Sequence, residues 1–251
     1  MKRLAVFLAA VVLVSAAVFA DPARVVATTS WVSAFIRTAG FTGPITVLAP
    51  FELQHPPEYE LKPSDIQAVA DADLVVYAGY ERMVDRLRES AGGAKPKLLQ
   101  IATDHSLKTI RSSVRLIADA LGTTAKAEEN LRALEAYFEA WRQELASAGL
   151  AGAPILGHVM HKPLLEELGF RIVGVFGPGP LEAARIRDLS ALGTGLIADN
   201  AHAPVATPLQ ETVKDPRYVA LINFPAADIS VEDILADDRA RLAKAWKPGA
   251  P

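Results

Sequence analysis

The chain has 251 residues, a formal net charge of -3 and no cysteine. That length holds one large domain or two small ones. The lack of thiols excludes disulfides, thiolate metal sites and cysteine nucleophiles. A mild negative charge without a basic run excludes nucleic acid as a partner, because phosphate binding needs clustered Lys and Arg.

Met1-Lys2-Arg3 is a basic start, Leu4 to Val14 is an unbroken apolar run, and small residues lead to Asp21. This reads as a secretory signal over residues 1–20, cleaved after Ala20. The apolar run is shorter than the ~20 residues a membrane span needs. With no cysteine for lipid attachment, a soluble periplasmic protein is predicted.

Residues 21–121 read as an N-terminal lobe. Arg24–Thr29, Pro44–Leu48, Leu74–Tyr77 and Lys97–Ile101 are β-rich runs. Ser30 is expected to cap a helix that Gly40 ends. A proline-rich loop, Ala49–Pro63, precedes Ser64-Asp65-Ile66-Gln67, which has the spacing of a capping box. A further helix is expected from Ser106 to Leu121.

Residues 122–150 read as a linking helix. Leu131, Leu134, Tyr137, Phe138, Trp141 and Leu145 recur at three- and four-residue spacing, over a length of roughly 35–40 Å. In residues 151–251 the alternation resumes. Strands are expected at Pro154–Gly157, Arg171–Phe176, Gly195–Ala198 and Tyr218–Ile222. Helices are expected at Lys162–Leu168, Leu181–Leu192 and Val231–Trp246. Alternating β and α predicts an α/β fold. Two lobes, each a four-stranded, mostly parallel sheet flanked by helices, are joined by one long rigid helix.

Four histidines fall where such a fold binds ligands, beyond the carboxyl ends of its strands. His55 follows the second strand, His105 the fourth and His202 the seventh, while His158 closes the fifth. His161, three residues on, either shares a face with His158 or points away. Neutral imidazole suits zinc and also copper, iron and nickel. Three histidines with a fourth histidine, a carboxylate or water would complete a zinc shell.

His55-Pro56-Pro57-Glu58-Tyr59-Glu60-Leu61-Lys62-Pro63-Ser64-Asp65-Ile66, with Ala72-Asp73-Leu74-Val75-Val76-Tyr77-Ala78-Gly79, resembles the zinc- and manganese-binding solute-binding proteins of ABC importers, the ZnuA/TroA-like family. The resemblance implies a protein that captures a divalent metal in an interdomain cleft and hands it to a membrane permease. It also implies that His55, His105 and His158 are the first three ligands. The family's fourth ligand, an aspartate after the last strand, is replaced by Asn223-Phe224-Pro225. His202, Asp199, Asp228 or water are the candidates for that position. Zinc is the expected ion, with manganese or iron as alternatives, and a monomer is expected. Three unperturbed histidine ligands predict an affinity that drops between pH 7.5 and 5.5.

Two other functions are possible on these residues. One is the same fold holding a siderophore or another organic ligand. The other is a secreted zinc hydrolase, against which stands the lack of a His-Glu-x-x-His or Gly-x-Ser-x-Gly motif. No catalysis is expected.

Overall fold

The computed structural model describes residues 23–53, 55–91 and 96–246. The expected signal segment lies outside them. Four strands open the fold: β1 (Val25–Ala27), β2 (Ile45–Val47), β3 (Leu74–Tyr77) and β4 (Lys97–Gln100). They form a parallel sheet in the order β2-β1-β3-β4. Around it pack α1 (Ser30–Thr38), α2 (Pro63–Asp71), α3 (Val84–Ser90) and α4 (Leu107–Leu121). The long helix α5 (Thr124–Ser147) follows.

The second lobe repeats the plan. β5 (Pro154–His158), β6 (Arg171–Phe176), β7 (Leu196–Asn200) and β8 (Arg217–Leu221) form a parallel sheet in the order β6-β5-β7-β8. Helices α6 (Lys162–Glu167), α7 (Ala183–Ser190), α8 (Thr207–Thr212) and α9 (Val231–Ala245) surround it. Inner strands covered on both faces carry continuous apolar runs. Accordingly every residue of β1, β3 and β7 is buried.

Three local expectations change. Thr29, one residue earlier than expected, caps α1 by accepting the Val32 N–H at 3.3 Å. The start of α2 is set by Pro63 in its first turn and by Asp65, whose carboxylate accepts the Lys62 N–H at 2.8 Å. Gln67 instead donates to Asp71 at 2.9 Å. The proline-rich loop holds a single 3-10 turn at Pro56–Glu58.

Helix α5 touches both lobes. At its start, Thr123 donates to the Ala39 carbonyl at 2.6 Å and Asn130 to the Thr38 carbonyl at 3.0 Å. Towards its end, Arg142 bonds Glu167 at 3.2 Å, and Glu144 pairs with Arg239 at 2.6 Å. Leu131, Leu134, Phe138, Trp141 and Leu145, the expected apolar stripe, join one core that includes Val25 and Ile36 as well as Ile155 and Ile234.

The lobes also meet directly. Asp228 accepts from Ser33 at 2.8 Å and from Arg37 Nε at 3.1 Å, and the Val231 N–H bonds Thr38 Oγ1 at 3.0 Å. Helices α1 and α9 are thereby fastened side by side. The carboxyl ends of the two sheets face a shared crevice, where doubly wound folds bind ligands. Among the described residues, no helix is long and apolar enough to cross a membrane.

Candidate functional site

His105 sits in the turn between β4 and α4, and that turn is tightly built. Ser106 caps α4, and Asp104 accepts from the Ser106 N–H at 2.8 Å and the Thr109 hydroxyl at 2.8 Å. Trp31, from the first turn of α1, stacks on the His105 ring with centroids 4.4 Å apart. Its own indole N–H is spent on the Thr103 carbonyl at 3.1 Å. His105 donates from Nε2 to the Ile222 carbonyl at 3.3 Å. That bond fixes the tautomer and leaves a lone pair on Nδ1, which is buried without a partner.

His158 ends β5 and is fully buried. Its Nδ1 accepts the Met160 N–H at 3.2 Å, while Nε2 is buried without a partner. Gly177 lies against that nitrogen. A Cβ there would stand 2.2 Å from Nε2, and the glycine has a φ of +78. Glycine is therefore required twice, for the close approach and for the left-handed backbone.

His161 closes a 3-10 turn, Val159–His161. In a 3-10 turn the side chains at i and i+3 eclipse one another. His158 and His161 consequently project to the same side, with ring centroids 6.3 Å apart. The His161 ring lies 5.3 Å from that of His105. His161 is fully buried, and neither of its nitrogens makes a hydrogen bond of good geometry, although the Asn200 side chain and the Leu221 carbonyl flank it.

Asn223 completes the group. It follows β8 and is 5 % exposed, and its Oδ1 has no partner. His105 and Asn223 both line a cleft of about 240 Å³ walled by Trp31, Tyr80, Thr103, Met160 and Phe224. An unpaired buried polar atom costs about 1–3 kcal/mol, and native structures hold few of them. Five such atoms, on four neighbouring residues, point to a missing ligand.

Electrostatics agree. Burial pushes the His105 imidazole down to about 4. Burial also holds His161 well below the usual histidine value, with His105 and His158 adding to the effect. Burial lowers His158 too, against the opposing charge of Asp199. All three rings are thus neutral, the form that binds metals. Zinc–nitrogen bonds of 2.0–2.1 Å at tetrahedral angles put ring centroids roughly 5 Å apart. The His105–His161 pair already has that spacing. Among the described residues, no three His, Asp or Glu side chains stand in finished coordinating positions, so the His158 ring must close by about 1 Å to meet that spacing.

The other candidates named from sequence lie elsewhere. His55 is exposed, at the start of the Pro56–Glu58 turn. His202 spends Nε2 on the Leu53 carbonyl at 2.9 Å and packs on Phe224, tying the proline-rich loop to the second lobe. Asp199 accepts from the Asn200, Val205 and Ala206 amides and from the Tyr218 hydroxyl. Asp228 is engaged by Arg37, whose guanidinium holds the carboxyl below its usual range.

Comparison with known proteins follows this geometry. The family described as zinc-uptake complex component A, periplasmic (ZnuA) matches residues 25–214. The chain belongs to this family. Its fold is that of AdcAII from Streptococcus pneumoniae, with a TM-score of 0.71 at 15% identity, covering 90% of this chain and 100% of that one. It is also that of FpvC from Pseudomonas aeruginosa, solved with Mn2+, with a TM-score of 0.67 at 21% identity, covering 90% and 98%. The Zn(II)-bound AdcA of Streptococcus pneumoniae matches with a TM-score of 0.58 at 19% identity, covering 90% of this chain and 58% of that one. No protein of curated function matches the sequence.

Members of the ZnuA family are metal-binding solute-binding proteins of ABC importers, which deliver a divalent metal to a permease. The protein is accordingly a binding protein and not an enzyme, which sets the hydrolase reading aside.

A buried acid supports the site from behind. Asp238 of α9 accepts the Ile222 N–H at 2.8 Å, on the same residue whose carbonyl holds His105. Burial pushes its carboxyl up to about 8 from a usual 3.8. Asp238 is therefore protonated in the fold and ionised when unfolded across neutral pH. A raised pKa gives stability that is lost as pH rises through the folded value. The three buried histidines act in the opposite sense, because unfolded imidazoles are half protonated at pH ~6.5 and become fully neutral only near pH ~8.5. Between pH 6.5 and 8.5 the natural apo protein is expected to lose about 2 kcal/mol relative to an Asp238→Asn variant, in which only the histidine effect remains. Urea denaturation of both proteins at the two pH values measures this, and equal pH dependence in the two would contradict it.

Proposed function

We propose that this protein captures zinc in the periplasm with His105, His158 and His161, next to Asn223, and delivers it to its importer's permease. The observation that carries the reading is the convergence of unpartnered, buried, neutral nitrogens from both lobes. His105 comes from the first lobe, His158 and His161 from the second, so the ion bridges the cleft. On binding, the metal displaces the long Met160 contact at His158 or takes that ring's other nitrogen. An all-imidazole set favours zinc over manganese, which suits oxygen donors. The cleft of about 240 Å³ is smaller than the ~300–1,000 Å³ of most organic-ligand sites, which argues against a siderophore.

Elemental analysis of protein reconstituted with zinc is expected to give one ion per chain. A stabilising thermal shift should accompany it, because a ligand bound only by the folded state adds RT ln(1 + [L]/Kd), about 4 kcal/mol at 1,000 Kd. No stoichiometric metal and no shift with zinc, manganese or iron would contradict the proposal.

A further inference from the structure

We infer that the open edge of β8 is a docking site for an extended, acidic segment of a partner protein, which adds to the second sheet as a fifth strand.

β8 is the last strand of its sheet and has a neighbour only on the β7 side. Alternate residues of a strand turn their backbone groups to the same side. The Arg217 N–H bonds the Gly195 carbonyl at 2.8 Å, and the Leu221 carbonyl takes the Ala201 N–H at 2.7 Å. Arg217, Val219 and Leu221 thus face β7, while Tyr218 and Ala220 turn their backbone groups to the open side. Arg241 of α9 reaches the Ala220 carbonyl there at 3.4 Å. Among the described residues, the Tyr218 N–H and carbonyl and the Ala220 N–H have no partner. Such an edge templates the pairing of another chain, and a peptide that adds to it gains main-chain hydrogen bonds.

This edge borders a cleft of about 830 Å³, walled by residues 215–220 on one side and by α9 on the other. Six residues of strand make a trough roughly 16–20 Å long, which suits an extended chain. Its charge is one-sided. Arg217, Arg241 and Lys244 line it and are exposed, and Asp215 is the one acid in the lining. Among the described residues, none of the three cations is in a salt bridge.

The three cations also share a face. Val219 and Leu221 pack in the same core as Leu242 of α9, whereas Tyr218 packs on the other side with Leu209 of α8. Side chains alternate along a strand, so Arg217 lies on the face that carries α9. An added strand alternates likewise, and every second side chain meets the cations. Acidic residues at those positions complement them, and apolar residues suit the face of Tyr218. A second copy of this chain does not fit, because β8 against β8 would set the cations of both copies opposite one another.

The test is fluorescence anisotropy with a labelled hexapeptide of alternating Glu and Val. It is expected to bind with a Kd below about 1 mM, the weak end of specific association. A Lys–Val analogue is expected to bind at least about tenfold more weakly. A Glu–Val analogue N-methylated throughout cannot pair its backbone, and a similar loss is expected. Amide exchange at Tyr218 and Ala220 is expected to slow when the Glu–Val peptide binds. Reversing two charges, Arg217→Glu with Lys244→Glu, is expected to cost about tenfold for the Glu–Val peptide. Should that variant misfold, the three peptides on the natural protein decide alone. No binding at 1 mM, equal binding of the Lys–Val analogue, or binding unmoved by N-methylation would overturn the inference. Dimers of the protein that protect the Tyr218 and Ala220 amides would also overturn it, assigning the edge to a second copy.

Discussion

His161→Ala is expected to weaken zinc binding by more than about a hundredfold while the protein stays folded. Removing even an outer partner of a metal ligand costs about 10–100-fold, so losing a ligand costs more. His161 is the central ring of the cluster, within 5.3 Å of His105 and 6.3 Å of His158. It makes no firm hydrogen bond whose loss would unfold the chain. In the same titrations His55→Ala is expected to change affinity by less than about threefold, as an exposed residue outside the cluster. His202→Ala should lower affinity only through loosening of the Leu53 contact. A large loss for His55→Ala with a normal His161→Ala would reverse the assignment.

The second large effect concerns pH. Three histidines with ordinary pKa values near 6.5 would lose about a thousandfold in zinc affinity at pH 5.5, roughly tenfold for each ring. Burial changes this. With His105 at about 4, His161 well below its usual value and His158 also lowered, few protons compete at pH 5.5. Zinc affinity is expected to fall by less than about tenfold between pH 7.5 and 5.5, and to collapse only as pH approaches the folded values. The same depressed values make the apo fold sensitive to acid. A group whose folded pKa is depressed binds its proton more readily when unfolded, so below pH ~6.5 the three rings destabilise the apo protein progressively. Protonated Asp238 opposes them in that window, having a raised value. Titration calorimetry at pH 7.5, 6.5 and 5.5 checks the affinity, and a thousandfold loss would mean that the rings are solvated in the free protein.

The fold was legible because parallel strands buried on both faces are short apolar runs. Leu74–Tyr77 and Arg171–Phe176 coincide with their strands residue for residue. Helix α8 escaped because six residues, one of them Pro208, are too few to show a period. Helix α3 escaped because Met83, Val84 and Leu87 follow directly on a buried acidic turn at Glu81.

The proposed site was legible in part. His105 and His158 stand at strand ends, where the topology rule looks for ligands. His161 was harder, because a spacing of three reads as a helical offset unless the 3-10 turn that eclipses the two rings is known. Pro163, in the first turn of α6, was the available signal that regular helix begins only after His161. Nothing local distinguishes Asp228 from a free carboxylate, whereas Asp199 is held mainly by amides of the turn that follows it. Arg37, the partner of Asp228, lies 191 residues away, and only the Tyr218 hydroxyl reaches Asp199 from as far as 19 residues.

The most direct test is a crystal structure of the zinc-loaded protein with anomalous scattering at the zinc edge. The expected result is one zinc peak within about 2.0–2.1 Å of nitrogens of His105, His158 and His161. A peak on His55 or His202, with His161 left uncoordinated, would contradict the assignment.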